Sequence, residues 1–226
     1  MQPCMHAWYA ASVTTDQQSS SQRAYQFTKD QILTGEMRGG QLLSEVEVAA
    51  RIGVSRTPVH EAFLRLAAED LLELVSRRGA VVAPISSREA TDLLEMRLAL
   101  ETAAVRRLCR SAGSMDSLVA DLTVLVDEQR DGVAAGDLRQ FAIADDAFHR
   151  CIVDAAGNSI GQRFYCSLSD RQRRMLADAV RADPARLARL IGEHGHLAEA
   201  IGHRDAQAFE AALLVHLEAT YQVTLA

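Results

Sequence analysis

Ile52-Gly53-Val54-Ser55-Arg56-Thr57-Pro58-Val59-His60-Glu61-Ala62-Phe63-Leu64-Arg65-Leu66 carries the strongest structural signal in the chain. It reads as the turn and second helix of a helix-turn-helix. Gly53 stands where one helix must end and the chain must reverse, a position that favours tolerance of positive φ. Ser55 follows as an N-cap, and Pro58 falls in the first helical turn, where a missing N–H costs little. Val59, Ala62, Phe63 and Leu66 then recur at helical spacing and give one buried face. Ser55, Arg56, Thr57 and His60 are left exposed at the start of that helix. This is the end a recognition helix presents to base edges, while its amides can hold a phosphate. The plain structural alternative is a Ser-capped amphipathic helix after a glycine turn, which many helical proteins contain.

The flanking chain favours DNA binding. Upstream, Leu43 to Arg51 predicts a short helix capped by Ser44, with Glu47 at the capping-box position. Downstream, Ala67 to Leu72 closes the recognition helix. Leu74-Val75 and Ala80-Val81-Val82-Ala83 are β-prone runs around the basic, glycine-containing turn Ser76-Arg77-Arg78-Gly79, and they predict a hairpin. Residues 22–34 predict a first helix with Ala24, Phe27, Ile32 and Leu33 facing inward. The sum is a winged helix-turn-helix over residues 22–85 with a small β-hairpin wing, preceded by a disordered polar leader over residues 1–21.

Val54-Ser55-Arg56-Thr57-Pro58-Val59-His60-Glu61-Ala62-Phe63, followed by a basic wing, resembles the VSRTPVREAL signature of the GntR family of bacterial transcription regulators. The resemblance implies a double-stranded DNA operator as partner. Ser55, Arg56, Thr57 and His60 would contact it from the recognition helix, and Arg77, Arg78 and Gly79 from the wing. His60 stands where the family usually has Arg. Arg makes a permanent bidentate contact with guanine and His does not, so the operator is expected to depart from the family consensus.

The chain has 226 residues, 48% of them hydrophobic, enough for two modest cores. Residues 21–86 carry eight Lys/Arg against eight Asp/Glu, and residues 87–226 carry sixteen against twenty-one. A DNA-binding part that is neutral overall implies modest non-specific affinity and reliance on dimerisation. The cysteines, Cys4, Cys109, Cys151 and Cys166, form no C-x-x-C pair, which argues against a cysteine zinc site or a disulfide framework and fits a reducing cytoplasm. No apolar run reaches the length of a membrane span, and Met1 to Val13 lacks the features of a secretory signal.

Beyond the wing the pattern is helical almost throughout. Helices are predicted over residues 88–112, 115–132, 137–156, 159–181, 185–202 and 205–225, the first of them capped by Ser87. Short connections between amphipathic helices predict an all-α antiparallel bundle over residues 87–226. The fold class is therefore mainly α, with β structure confined to the wing.

Asp145 and His149 are four residues apart and project from one helix face. His194 and His216 lie on the fifth and sixth helices of the bundle, and antiparallel neighbours would let all four side chains meet. One carboxylate and three imidazoles form a ligand set suited to Zn²⁺, Ni²⁺, Mn²⁺ or Fe²⁺. From spacing alone, a surface Asp/His pair and unconnected histidines are the stronger reading. The segments Asp145-Asp146-Ala147-Phe148-His149, Ala155-Ala156-Gly157-Asn158, Glu193-His194 with Glu199-Ala200-Ile201, and His216-Leu217 resemble the FCD effector domain of the FadR subfamily within the GntR regulators. That resemblance implies a divalent metal held by Asp145, His149, His194 and His216 beneath an effector pocket. His196 and His203 fall outside the pattern.

Arg97 sits on a predominantly apolar helix and needs a partner, because a buried unpaired charge is costly. A salt bridge to Glu101 is one reading. Capture of an effector carboxylate is the other, and the resemblance, which implies small organic acids as effectors, favours it. Arg171, Arg173 and Arg174 read mostly as a solvated face. The functional expectation is a cytoplasmic, homodimeric, ligand-responsive repressor rather than an enzyme, since no general base is paired with the four ligands at a recognisable spacing. A metal-activated hydrolase and a regulator that senses the metal itself are the alternatives.

Overall fold

The computed structural model of the chain describes residues 19–183 and 185–225. Among them it has nine helices and one small antiparallel sheet. The chain divides between Ile85 and Ser86 into two compact units. The expected leader over residues 1–21 falls mostly outside the described residues. Its last positions are helical: α1 spans Ser20–Leu33, with the Ser19 hydroxyl accepting from Gln22 N–H, so the cap sits three residues before the expected start.

In the first unit, α1 is followed by β1 (Leu42–Leu43), α2 (Glu45–Ile52), α3 (Arg56–Ala68), β2 (Leu72–Val75) and β3 (Gly79–Val82). Gly53 ends α2 in the left-handed conformation at φ 68°, as the turn between the two helices requires. Val59, Ala62, Phe63 and Leu66 of α3 are all buried, against Ala24 and Ile32 of α1 and Val48 of α2. Ser44 and Ser55 occupy the expected cap positions, but neither side chain makes a capping hydrogen bond, so the capping box at Ser44 and Glu47 is absent. The sheet has the order β1-β3-β2. β1 has no counterpart in the sequence expectation, which places Leu43 in the helix. Leu43 instead pairs with Ala80, because a two-residue strand carries no periodicity of its own and exists only through its partner.

In the second unit, α4 (Ser87–Arg110), α5 (Asp116–Ala135), α6 (Leu138–Ala155), α7 (Ser159–Ala182), α8 (Arg186–Gly202) and α9 (Ala206–Tyr221) form an all-helical bundle. Ser86, not Ser87, caps α4, its hydroxyl accepting from Glu89 N–H. Asp137, Asn158 and Asp205 cap α6, α7 and α9 with side-chain bonds to the second or third amide. Gly132 on α5 lies tight against the start of α6: a Cβ there would lie 2.9 Å from the backbone nitrogen of Phe141. Among the described residues no helix is long and apolar enough to cross a membrane.

Candidate DNA-reading head and imidazole centre

The reading head of the first unit is the start of α3 and the turn of the wing. Ser55, Arg56, Thr57 and His60 are all exposed, and Pro58 lies between them in the first turn. Arg56 and His60 are not free side chains, however. Glu45, at the start of α2, is buried and accepts from both, Oε2 from Arg56 Nε at 2.7 Å and Oε1 from His60 Nδ1 at 2.7 Å. Burial pushes the Glu45 carboxyl up, but the hydrogen bonds from His60 and Arg56 carry it below the ordinary carboxylate range. The sequence reading passed over Glu45, since an acidic residue in the first turn of a helix is ordinary.

In the wing, Ser76-Arg77-Arg78 connects β2 to β3 and the Arg78 amide donates to Val75 O at 3.0 Å. Arg77 and Arg78 are exposed at its tip, with Arg77 left-handed at φ 63°. Gly79 has φ 109°, and a Cβ on it would lie 2.1 Å from the carbonyl oxygen of Leu43. Its place in the motif therefore follows from the passage of β1 behind it.

In the second unit, His149 of α6, His194 of α8 and His216 of α9 come together, each 2% exposed or less. One ligating nitrogen from each lies within 4.8 Å of the others. His149 Nε2 and His194 Nε2 are 3.1 Å apart, and Asp145 Oδ1 is 3.4 Å from His194 Nε2. All four residues named from the sequence are thus gathered in one place.

The Nδ1 atoms settle what these rings can do. His149 Nδ1 donates to Glu101 Oε2 at 2.8 Å, His194 Nδ1 to Gln129 Oε1 at 2.7 Å, and His216 Nδ1 to Glu193 Oε2 at 2.8 Å. An acceptor on every Nδ1 assigns the hydrogen to that nitrogen and leaves Nε2 as a lone pair. Burial holds all three imidazoles below their usual range, His149 and His194 well below, and the nearby Arg97 charge adds to it. They are therefore neutral, the form that binds metal. With the ring hydrogens on Nδ1, His149 Nε2 and His194 Nε2 oppose two lone pairs at 3.1 Å, an arrangement that a cation bound between them stabilises. Burial pushes the Asp145 carboxyl up to about 7, Arg97 opposing and Asp146 and Glu101 reinforcing the shift. A divalent cation reverses that penalty by supplying the missing positive charge. Three neutral imidazoles and a carboxylate, each ring anchored from behind, fit a divalent transition metal.

Arg97 is 1% exposed, and both readings of it meet in one geometry. Its Nε donates to Glu101 Oε1 at 2.8 Å, the salt bridge, while its Nη2 has no partner among the described residues, the open donor. The guanidinium lies in the electrostatic field of Tyr165, Glu101, Tyr221 and Asp145. Glu101 therefore ties Arg97 to His149 through its two oxygens. Tyr165, likewise 1% exposed, has a hydroxyl without a partner among the described residues.

Several participants were invisible in the sequence. Gln129 follows Leu122, Leu125 and Val126 at helical spacing, and a polar residue inside that buried stripe was the available signal. Glu193 immediately precedes His194. The basic cluster on α7 is not the solvated face expected: Arg174 is buried and Arg171 Nε lies 3.3 Å from Glu89. His196 and His203 are exposed, outside the centre as anticipated.

Residues 20–82 match the family described as "Bacterial regulatory proteins, gntR family", and residues 92–219 match the FCD domain. An HTH-type transcriptional repressor, RspR of Escherichia coli strain K12, is 32% identical over 206 residues, 89% of this chain and 87% of its own length. The gluconate operon transcriptional repressor of Bacillus licheniformis is 34% identical over 128 residues, 57% of this chain. That match spans about half the repressor's own length, 51%. Among solved structures, a putative GntR transcriptional regulator from a Rhodococcus species superposes with a TM-score of 0.74 at 23% identity, over 91% of this chain and 97% of that one. McbR/YncC of E. coli superposes with a TM-score of 0.71 at 23% identity, over 91% and 99%. The chain belongs to the GntR family of bacterial DNA-binding transcription regulators, with a GntR helix-turn-helix domain followed by an FCD domain.

Proposed function

We propose that this regulator is a ligand-responsive repressor whose FCD domain binds a divalent metal and a small organic acid. Asp145, His149, His194 and His216 hold the metal, and Arg97 receives a carboxylate of the effector. The observation that carries the proposal is the convergence of three buried, neutral imidazoles, each fixed by an Nδ1 acceptor, beside a buried guanidinium with an open N–H. The metal, when bound, supplies Lewis-acid attraction for an effector oxygen. Arg97 supplies a planar, permanently charged donor.

The protein works in the cytoplasm as a homodimer. Two copies of α3 occupy successive major-groove segments of a pseudo-palindromic operator, with Ser55, Arg56, Thr57 and His60 at base edges and Arg77, Arg78 and Gly79 of the wing on the backbone or in the minor groove. The effector regulates by binding the operator-competent and operator-incompetent states unequally. Two of the similar repressors are named for gluconate operons, so aldonic acids head the panel of candidate effectors.

The test is metal content by mass spectrometry of the purified chain and of its Asp145→Ala and His194→Ala variants, followed by operator binding with and without the acid panel. About one metal per chain, lost in both variants, is the expected result. Absence of metal after incubation with Zn²⁺, Ni²⁺ and Mn²⁺ overturns the metal assignment. Operator affinity that no acid changes, in the metal-loaded protein, overturns the effector assignment.

A further inference from the structure

Glu45 holds Arg56 and His60 by their inner nitrogens and leaves their outer ones exposed. Their side chains are 66% and 55% exposed, whereas that of Glu45 is 10% exposed. Glu45 is ionised, and a carboxylate has acceptors only. Its bond to His60 at 2.7 Å therefore fixes one tautomer of the neutral ring: Nδ1 carries the hydrogen and Nε2 carries the lone pair. Its bond to Arg56 uses Nε, which leaves the two terminal Nη groups as an outward fork.

We propose that Glu45 makes His60 a hydrogen-bond acceptor toward DNA, so that the recognition helix reads an amino base, adenine or cytosine, with His60, beside a guanine read by Arg56. The proposal rests on α3 entering the major groove. There, adenine offers N6–H₂ and cytosine N4–H₂ to an acceptor, while guanine and thymine present only acceptors and a methyl group at those edges. A bare Nε2 lone pair thus favours the first two and is repelled by the carbonyl oxygens of the others. The Arg56 fork matches guanine O6 and N7. One buried carboxylate in this way assigns opposite polarity to two neighbouring side chains of the same helix.

The experiment has two arms on the full chain at about pH 8, above the ordinary imidazole range. The first is ¹⁵N NMR of the His60 ring in the free protein. The second is operator selection from a random DNA pool, for the native protein and for His60→Ala and Glu45→Gln, with circular dichroism confirming that each variant is folded. We expect the Nδ1–H tautomer and a preference for adenine or cytosine over guanine or thymine at one position of each half-site, of roughly tenfold. His60→Ala abolishes that preference and keeps the guanine position. In Glu45→Gln the permanent charge of Arg56 takes the amide oxygen, and the amide N–H₂ turns to His60 Nδ1. The tautomer inverts, and the preference at that position moves to guanine or thymine. An Nε2–H tautomer in the native protein, or an unchanged base preference in His60→Ala, overturns the proposal with DNA binding intact. Failure of the native chain to select any sequence overturns the assignment of the reading head itself.

Discussion

Glu101→Ala tests the buried centre most sharply, because one side chain supports two groups at once. Its oxygens accept from Arg97 Nε and from His149 Nδ1, both at 2.8 Å, and neither oxygen reaches solvent. Removal takes away the hydrogen-bonded ion-pair partner of the buried Arg97 guanidinium, whose Nη2 already lacks a partner among the described residues. An uncompensated buried charge costs about 3–5 kcal/mol. Loss of the support behind a metal-binding His lowers metal affinity about 10–100-fold, or roughly 1.4–2.7 kcal/mol. Glu101→Gln separates the two effects. Its oxygen still accepts from Arg97, which limits the stability loss to about 1–3 kcal/mol. Its amide N–H₂ then faces His149 Nδ1 and moves the ring hydrogen to Nε2, removing a ligand lone pair. The assays are urea unfolding of chelator-treated protein and calorimetric titration with Zn²⁺ and Mn²⁺. Glu101→Ala should be the less stable variant, and Glu101→Gln should bind metal at least as poorly. A loss of less than about 1 kcal/mol in chelator-treated Glu101→Ala, or native metal affinity in Glu101→Gln, would contradict the role assigned to Glu101.

Other outcomes follow from the same structure. Gly79→Ala places a Cβ 2.1 Å from Leu43 O at φ 109°; the backbone conformation alone costs about 1–3 kcal/mol, read as a lower thermal midpoint with weakened operator binding and unchanged metal content. Metal held at about a hundred times its Kd should stabilise the protein by roughly 2.7 kcal/mol over the chelated form, with the gain confined to unfolding of residues from Ser86 onward; an equal gain in His149→Ala would contradict the assigned ligands. Glu45 has a depressed pKa when folded, so its contribution to stability is present above the ordinary carboxylate range and is lost as pH falls through the folded value. Acid should therefore destabilise the first unit of the native protein more than that of Glu45→Gln, and equal acid sensitivity by circular dichroism would exclude that role.

The order and type of the main elements follow from local features of the chain. Gly53, Pro58 and the stripe Val59, Ala62, Phe63 and Leu66 set the turn and second helix because backbone tolerance and helical period are local properties. Helix caps were legible to within a few residues for the same reason, though neighbouring serines at Ser86 and Ser87 exchanged roles and Ser44 capped without a side-chain bond. Asp145, His149, His194 and His216 were named from sequence through spacing and family resemblance, and the fold gathers them. The remaining features arise only from long-range packing. β1 exists only because β3 pairs with it. The acceptors that fix the three imidazoles, Glu101, Gln129 and Glu193, lie 48, 65 and 23 residues from their histidines. Glu45 reaches Arg56 and His60 across a helix-turn-helix corner, 11 and 15 residues away. Spacing along a chain specifies which side chains share a helix face. Which nitrogen of a ring carries the hydrogen depends on the group packed against it, and that group arrives only when the helices close on one another.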